Sequence, residues 1–372
     1  MILNSRNYKL TIGIPTWNRK EFLAANLEHL FKETVDQSEV EILVSDNASD
    51  DGTEELCRGL RERLTHFSYF RNPTNLGANF NFQNVIQKAQ GNYVWLLGDD
   101  DKIVEGSVSE VLKKIGLHPE IDIIVGGCIH DQTKKRLYPP HLSRDLVAQT
   151  ELLKTYDAIR LASKISTLVF KKDSLFKDLP QYQKTIENLR TPWPHLVWWL
   201  SILEKGGKVL YLQAATNYYL ESSRYNMLQD GVTRSRIMIQ DYALLVTKLK
   251  EEGLISEPFF QILKLTMGSS RKDEFFKIAA YSTFLNGYGE TLKSAFKTLR
   301  SIPGMKNKLS FGLFYCLPII FPVWFRKMLF RIPCRFTSWT EYQNFIHYLD
   351  EVKQHLASKK LNARSVFDEK GL

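Results

Sequence analysis

The chain has 372 residues, 44% of them apolar and 24% charged, with a formal net charge of +9. That balance excludes a disordered or fibrous chain and suits one large globular domain with an appended unit. The four cysteines (Cys57, Cys128, Cys316 and Cys334) form no C-x-x-C pair, which argues against a zinc site or a disulfide scaffold and fits a reducing cytoplasm. From the N-terminus, Tyr8–Ile14, Val40–Val44, Phe67–Arg71 and Tyr93–Leu97 are short β-branched or aromatic runs that predict strands. Because the first strand begins so early, no cleaved signal peptide is expected. Glu21–Lys32, Thr53–Leu64 and Ala78–Ala89 lie between the strands and carry apolar residues at helical spacing, as in Phe22, Leu23, Leu27, Leu30 and Phe31. Strand and helix alternating at this rhythm predict βαβ units: a Rossmann-type α/β domain whose mainly parallel sheet is covered by helices on both faces.

Further along, Ile121–Val125, Ile165–Phe170 and Lys208–Leu212 predict three more strands, and Gly126–Gln149 reads as an irregular surface excursion. Past about Asn217 the strand signals fade, and Arg236–Lys250 and Phe259–Leu265 read as helices. The expected division is a catalytic domain over 1–218 and a helical, basic domain over 219–372. Between Thr291 and Thr340 lie nine Lys or Arg residues and no acid, an excess equal to the net charge of the whole chain. Within that stretch, Phe311–Phe325 is an uncharged apolar run interrupted by Pro318 and Pro322. It is shorter than the roughly 20 residues a membrane span needs, so 306–335 reads as a segment lying on an anionic membrane surface. A buried helix pair is the other reading. Nucleic acid is not expected as a partner, because a phosphate-tracking groove has no use for the apolar run.

In parallel sheets, ligands bind beyond the carboxyl ends of the strands. Three loops there are polar: Pro15-Thr16-Trp17-Asn18-Arg19, Ser45-Asp46-Asn47-Ala48-Ser49-Asp50-Asp51-Gly52, and Gly98-Asp99-Asp100-Asp101. The first two also suit helix caps and turns. In the third, three adjacent carboxylates repel one another, and a cation relieves that repulsion. Hard oxygen donors suit Mg²⁺ or Mn²⁺; a solvated acidic turn is the alternative.

Taken in order, P-T-W-N-R, S-D-N-A-S-D-D-G-T, N-P-T-N-L-G and G-N-Y-V-W-L-L-G-D-D-D resemble the family 2 glycosyltransferases of the GT-A fold over roughly residues 8–215. The G-D-D-D ending is most similar to the bacterial O-antigen, abequosyltransferase-like group. The resemblance implies that Pro15, Thr16 and Asn18 line a nucleotide pocket. It implies that Asp46 and Asn47 bind the base or ribose, with Asp46 a loop carboxylate of little weight in the core. Asn75 and Gly77 sit near the nucleotide, Gly77 allowing close backbone approach. The acidic triplet stands for the family's D-x-D motif, with glycine in place of the first acid. Asp100 is then the favoured metal ligand, with Asp101 beside it and Asp99 toward the nucleotide-sugar; in the other register Asp99 and Asp101 form the pair.

The family's acidic base is replaced by Pro194-His195 at the start of a helix. His195, with an unperturbed pKa near ~6.5, is the candidate base, a packed cap residue the other reading, and Asp101 and Glu187 the next candidates. Trp193 is the candidate acceptor platform. The expected reaction is metal-dependent transfer from a nucleoside-diphosphate sugar to a hydroxyl of a lipid-linked glycan. It would take place at the cytoplasmic face of the inner membrane, in O-antigen or other surface polysaccharide synthesis. An inactive sugar-nucleotide-binding protein and a nucleotidyltransferase are the alternatives.

Overall fold

A computed structural model describes residues 8–130, 136–138, 145–148, 162, 164–176, 184–186, 194–219 and 242–266. Its elements run β1 (Leu10–Thr16), α1 (Lys20–Thr34), β2 (Val40–Asp46), α2 (Thr53–Arg63), β3 (Phe67–Arg71), α3 (Ala78–Lys88), β4 (Tyr93–Leu96) and α4 (Ser107–Leu117). They continue with β5 (Ile123–His130), β6 (Arg136–Tyr138), β7 (Leu146–Ala148), β8 (Leu168–Lys171), α5 (Lys172–Phe176), α6 (Pro194–Glu204), β9 (Val209–Tyr219), α7 (Tyr242–Glu251) and α8 (Glu257–Thr266).

Among the described residues the strands form one nine-stranded sheet in the order β3-β2-β1-β4-β8-β5-β9-β7, with β6 paired to β5. The ladders β3–β2, β2–β1, β1–β4 and β5–β9 are parallel, and the shorter ones through β8, β6 and β7 are antiparallel. Strands β1 and β2 are buried at every residue, as a parallel sheet covered on both faces requires. Side chains of a strand alternate between faces. Leu10, Ile12 and Ile14 accordingly join one core with Leu23, Leu27 and Leu30 of α1, Cys57 of α2, and Val108 and Val111 of α4. On the opposite face, Val85 of α3 sits over Gly13.

A buried carboxylate ties the amino-terminal end of this sheet together. Glu41, with no exposed surface, accepts hydrogen bonds from Thr11 Oγ1 (2.7 Å), Ser68 Oγ (2.7 Å), and the backbone N–H and side-chain amide of Gln90 (both 2.8 Å). Four donors satisfy a buried charge that would otherwise be costly.

The structure corrects two expectations. Gly126–Gln149 is not wholly irregular: β5 continues to His130, and β6 and β7 fall inside the stretch. Runs of three residues carry too little alternation to show in sequence, and their pairing with β5 and β9 creates them. The strand expected over Ile165–Phe170 begins as a 3-10 turn, Ile165–Thr167, and only then becomes β8. By contacts, Met1–Met227 with Leu245–Leu263 form one compact unit, and Leu228–Leu244 with Lys264–Leu372 a second.

Candidate active site

The chain leaves β1 toward β2 and β3 on one side and returns to β4 on the other. Strand order therefore reverses at β1, and the loops after β1 and β4 flank a crevice at the sheet's carboxyl edge, the usual ligand position in such sheets. The polar loops predicted from sequence meet there.

Thr16, the last residue of β1, donates its hydroxyl to Asp99 Oδ2 (2.9 Å). Arg19 places Nε 3.0 Å from Asp99 Oδ1 and Nη2 2.5 Å from Asp100 Oδ2, and its guanidinium lies 4.6 Å over the Phe22 ring. Asn26 of α1 donates to the carbonyls of Gly98 (3.0 Å) and Asp99 (3.4 Å), fixing the acidic loop from below. On the other flank, Lys164 pairs with Asp101 Oδ1. Ser166 donates its hydroxyl to Asp101 Oδ2 and accepts the Gly98 N–H at 3.1 Å. A Cβ at Gly98 would meet Asp101 Oδ2 at 2.8 Å, so a side chain there would have to shift that carboxylate.

The repulsion within the triplet is thus met by two resident cations of the chain itself. The neighbouring charges still register. Burial pushes the Asp99 carboxyl up to about 6 against the pull of Arg19, with Asp100 and Asp101 adding to the rise. Asp100 has the most exposed side chain of the three, at 29% against 11% for Asp99 and 15% for Asp101.

The second loop is organised by Asp46, and here an expectation is corrected. Asp46 is not a loop carboxylate of little weight: it ends β2 with no exposed surface. It accepts from the Ser49 N–H (2.9 Å) and the Tyr69 hydroxyl (2.8 Å) and faces Arg71 Nε at 3.4 Å. Asn47 is equally enclosed. Its amide donates to Asn75 Oδ1 (2.7 Å), and its carbonyl oxygen accepts from Asn72 (2.9 Å) and the Leu76 N–H (3.0 Å). Asn81 of α3 donates to the Thr16 and Ser45 carbonyls (3.3 and 2.9 Å), joining the ends of β1 and β2.

Asn18 adopts a positive φ of 51°, which asparagine tolerates. Its N–H donates to Ser49 Oγ, and its side-chain oxygen accepts the Asp50 N–H (both 2.9 Å). The helix-cap role belongs to Asp51, which accepts N–H groups at the starts of both α1 (Lys20, 2.8 Å) and α2 (Thr53, 3.1 Å). Gly77 has φ 85°, and nothing lies within 4 Å of where its Cβ would be. The turn into α3 therefore requires glycine for its backbone angle, not for crowding.

Residues 11–177 match the sequence model of the family described as Glycosyl transferase family 2. Over this segment, a little under half of the chain, the protein is similar to that family. The chain is 39% identical over 101 residues to the abequosyltransferase RfbV of Salmonella typhimurium, a match covering 27% of this chain and 30% of that protein. It is 32% identical over 107 residues to the GalNAc(5)-diNAcBac-PP-undecaprenol beta-1,3-glucosyltransferase of Campylobacter jejuni, covering 28% of this chain and 34% of that protein. The chain thus spans about a third of the length of each of these relatives. A crystal structure of S. aureus TarS 1–349 in complex with UDP-GlcNAc superposes with a TM-score of 0.54 at 17% identity, covering 79% of this chain and 82% of that one. At that identity the likeness carries the fold alone, and the fold is the GT-A-like α/β architecture expected.

Pro15, Thr16, Asn18, Asp46, Asn47, Asn75, Gly77 and the three aspartates all lie on loops or strand ends at one edge of the sheet. His195 lies in α6, where Pro194 to Leu203 are all buried, and is 4% exposed. Burial pushes its pKa down to about 4, against a hydrogen bond with the Ala162 backbone, so the unperturbed imidazole expected from sequence is corrected. Trp193 and Glu187 lie outside the described residues. Sequence reasoning missed Lys164, just before the run that read as a strand, and Ser166 within it, and it gave Arg19 no role. Only the β4–β8 pairing brings Lys164 and Ser166 to the acidic loop.

Proposed function

We propose that the chain transfers a sugar from a nucleoside-diphosphate sugar to a hydroxyl of a lipid-linked glycan acceptor, in bacterial surface polysaccharide or O-antigen synthesis. The observation that carries this reading is the meeting of the β1, β2 and β4 loops at the reversal of strand order, with Asp99–Asp101 set against Thr16 and Arg19. The match of residues 11–177 to the family model and the names of the two bacterial relatives support it.

The residues also suit a divalent ion. Among the described residues no three His, Cys, Asp or Glu side chains form a metal cage. Mg²⁺ and Mn²⁺ need only one or two carboxylates together with phosphate oxygens, and Asp100 and Asp101 supply hard donors at the crevice. Such an ion would neutralise charge on the leaving diphosphate. Thr16, Asn18 and Arg19 would then line the donor side of the crevice. Asp46, Asn47, Asn75 and Gly77 would shape the nucleotide wall through the hydrogen bonds that fix the loops after β2 and β3. His195 takes a packing role in this reading, and the carboxylates of the acidic loop are the groups at the crevice able to accept a proton.

The chain would work at the cytoplasmic face of the inner membrane, held there by 306–335. That segment lies outside the described residues, and among those described no helix is long and apolar enough to cross a membrane.

The test is a panel of UDP-, GDP-, dTDP- and CDP-sugars, incubated with and without a polyprenyl-diphosphate-linked glycan. Acceptor-dependent release of nucleoside diphosphate from one donor is expected, lost on chelation, restored by Mn²⁺ and strongly reduced in Asp100→Asn. If no donor binds or turns over, the reading fails. If transfer is undiminished in excess chelator, the metal leaves it.

A further inference from the structure

Two side chains of α1 grip the acidic loop by its backbone. Asn26 and His29 lie three positions apart, on one face of the helix, and so about 4.5 Å apart along its axis. Asn26 donates to the carbonyls of Gly98 (3.0 Å) and Asp99 (3.4 Å), where the acids begin. His29 Nε2 lies 3.0 Å from the carbonyl of Ile103, just past the triplet. A carbonyl only accepts, so an N–H makes each of these contacts. One turn further on, Glu33 accepts the Gly106 N–H at 2.8 Å. The loop thus runs alongside α1, and none of these bonds uses a carboxylate of the triplet.

Asparagine is a costly residue at position 26. It is 6% exposed and flanked in sequence by the core residues Leu23, Leu27 and Leu30. A buried amide is unfavourable unless bonded, and asparagine is a poor helix former. Among the described residues its Oδ1 accepts no hydrogen bond, so what the amide gains it gains from the loop. Ile103 is held on its other side as well. It is fully buried and bridges to Asn217 of β9, and the Val104 N–H donates to the Thr216 carbonyl (2.8 Å). The triplet is strung between two fixed points.

We propose that Asn26 and His29 are positioning residues for a divalent ion and the diphosphate it accompanies. By fixing the backbone at Gly98 and Ile103 they set the separation and direction of the Asp100 and Asp101 carboxylates. Partners that orient the ligands of an ion govern its affinity without touching it, because little ordering of the loop then remains when the ion binds. This rests on the donor reading above.

The experiment uses the full chain. Mn²⁺ alone is followed by electron paramagnetic resonance and preformed Mn²⁺–pyrophosphate by calorimetry, with the melting transition recorded for each variant. His29→Gln keeps an N–H at the ε position, whereas His29→Leu fills the space without a donor. His29→Leu should weaken Mn²⁺–pyrophosphate binding roughly tenfold or more, and His29→Gln should stay within about twofold of wild type. Asn26→Leu suits the core but has no donor, and its loss should match that of His29→Leu.

A folded His29→Leu or Asn26→Leu that binds both probes as wild type does overturns the proposal. So does a folded His29→Gln that loses as much affinity as His29→Leu, since packing and not the hydrogen bond would then matter. His29 is only half-buried, so its two variants carry the test even if Asn26→Leu does not fold. Wild type that binds neither probe overturns this proposal together with the metal. Wild type that binds both, yet turns over no sugar nucleotide, counts against the transferase reading alone.

Discussion

At the scale of single residues, the crevice is built from side chains that satisfy one another. Asp46 shows how far this goes. Its carboxylate holds a backbone N–H, a tyrosine hydroxyl and an arginine, all from segments that reach the β2 edge. Asp46→Ala should therefore lower unfolding stability by roughly 3 kcal/mol, since it strands buried donors and a cation. Urea titration checks this, and unchanged stability would show the carboxylate to be the dispensable loop group that sequence alone suggests. The triplet Asp99–Asp101 was visible in sequence because three adjacent acids are unusual. Its counter-ions were not, because Arg19 and Lys164 are separated from it by 80 and 63 positions or more along the chain and nothing local marks them.

At the scale of elements, α6 sets burial against chemistry. A helix apolar on all sides is a buried helix, and P-H-L-V-W-W-L-S-I-L carries His195 into the core. The imidazole is neutral in the fold, with a pKa near 4, whereas in the unfolded chain it takes a proton below about 6.5. Between those values the unfolded state binds more protons, so the stabilisation is present above about 6.5 and is lost as pH falls toward 4. The loss is on the order of 3 kcal/mol. Denaturant unfolding at pH 7 and pH 4.5 should show this drop in wild type, and His195→Gln should show it diminished by that amount. Equal drops in both proteins would sink the argument. The 3-10 turn at Ile165–Thr167 makes a related point: I-S-T-L-V-F reads as a strand, yet its first half bends to bring Ser166 to Gly98 and Asp101.

At the scale of the whole molecule, the basic segment 291–340 and its apolar run remain the feature of composition that the described domain does not use. If 306–335 lies on a membrane surface, the full chain should sediment with anionic liposomes, and high salt should release part of it by screening the lysines and arginines. A chain that ignores such vesicles at low salt has this run in an internal core instead.

The sequence by itself determined the alternation of β1 to β4 with α1 to α3, the positions of the polar loops at the strands' carboxyl ends, and the resemblance to the family 2 glycosyltransferases. Those signals are local, written in periodicity and in short motifs. Tertiary structure alone decided the mixed half of the sheet, the burial of Asp46 and His195, and the pairing of Asp101 with Lys164. Each of these depends on contacts between segments far apart in the chain, where burial and partner charge, not residue type, decide what a side chain does.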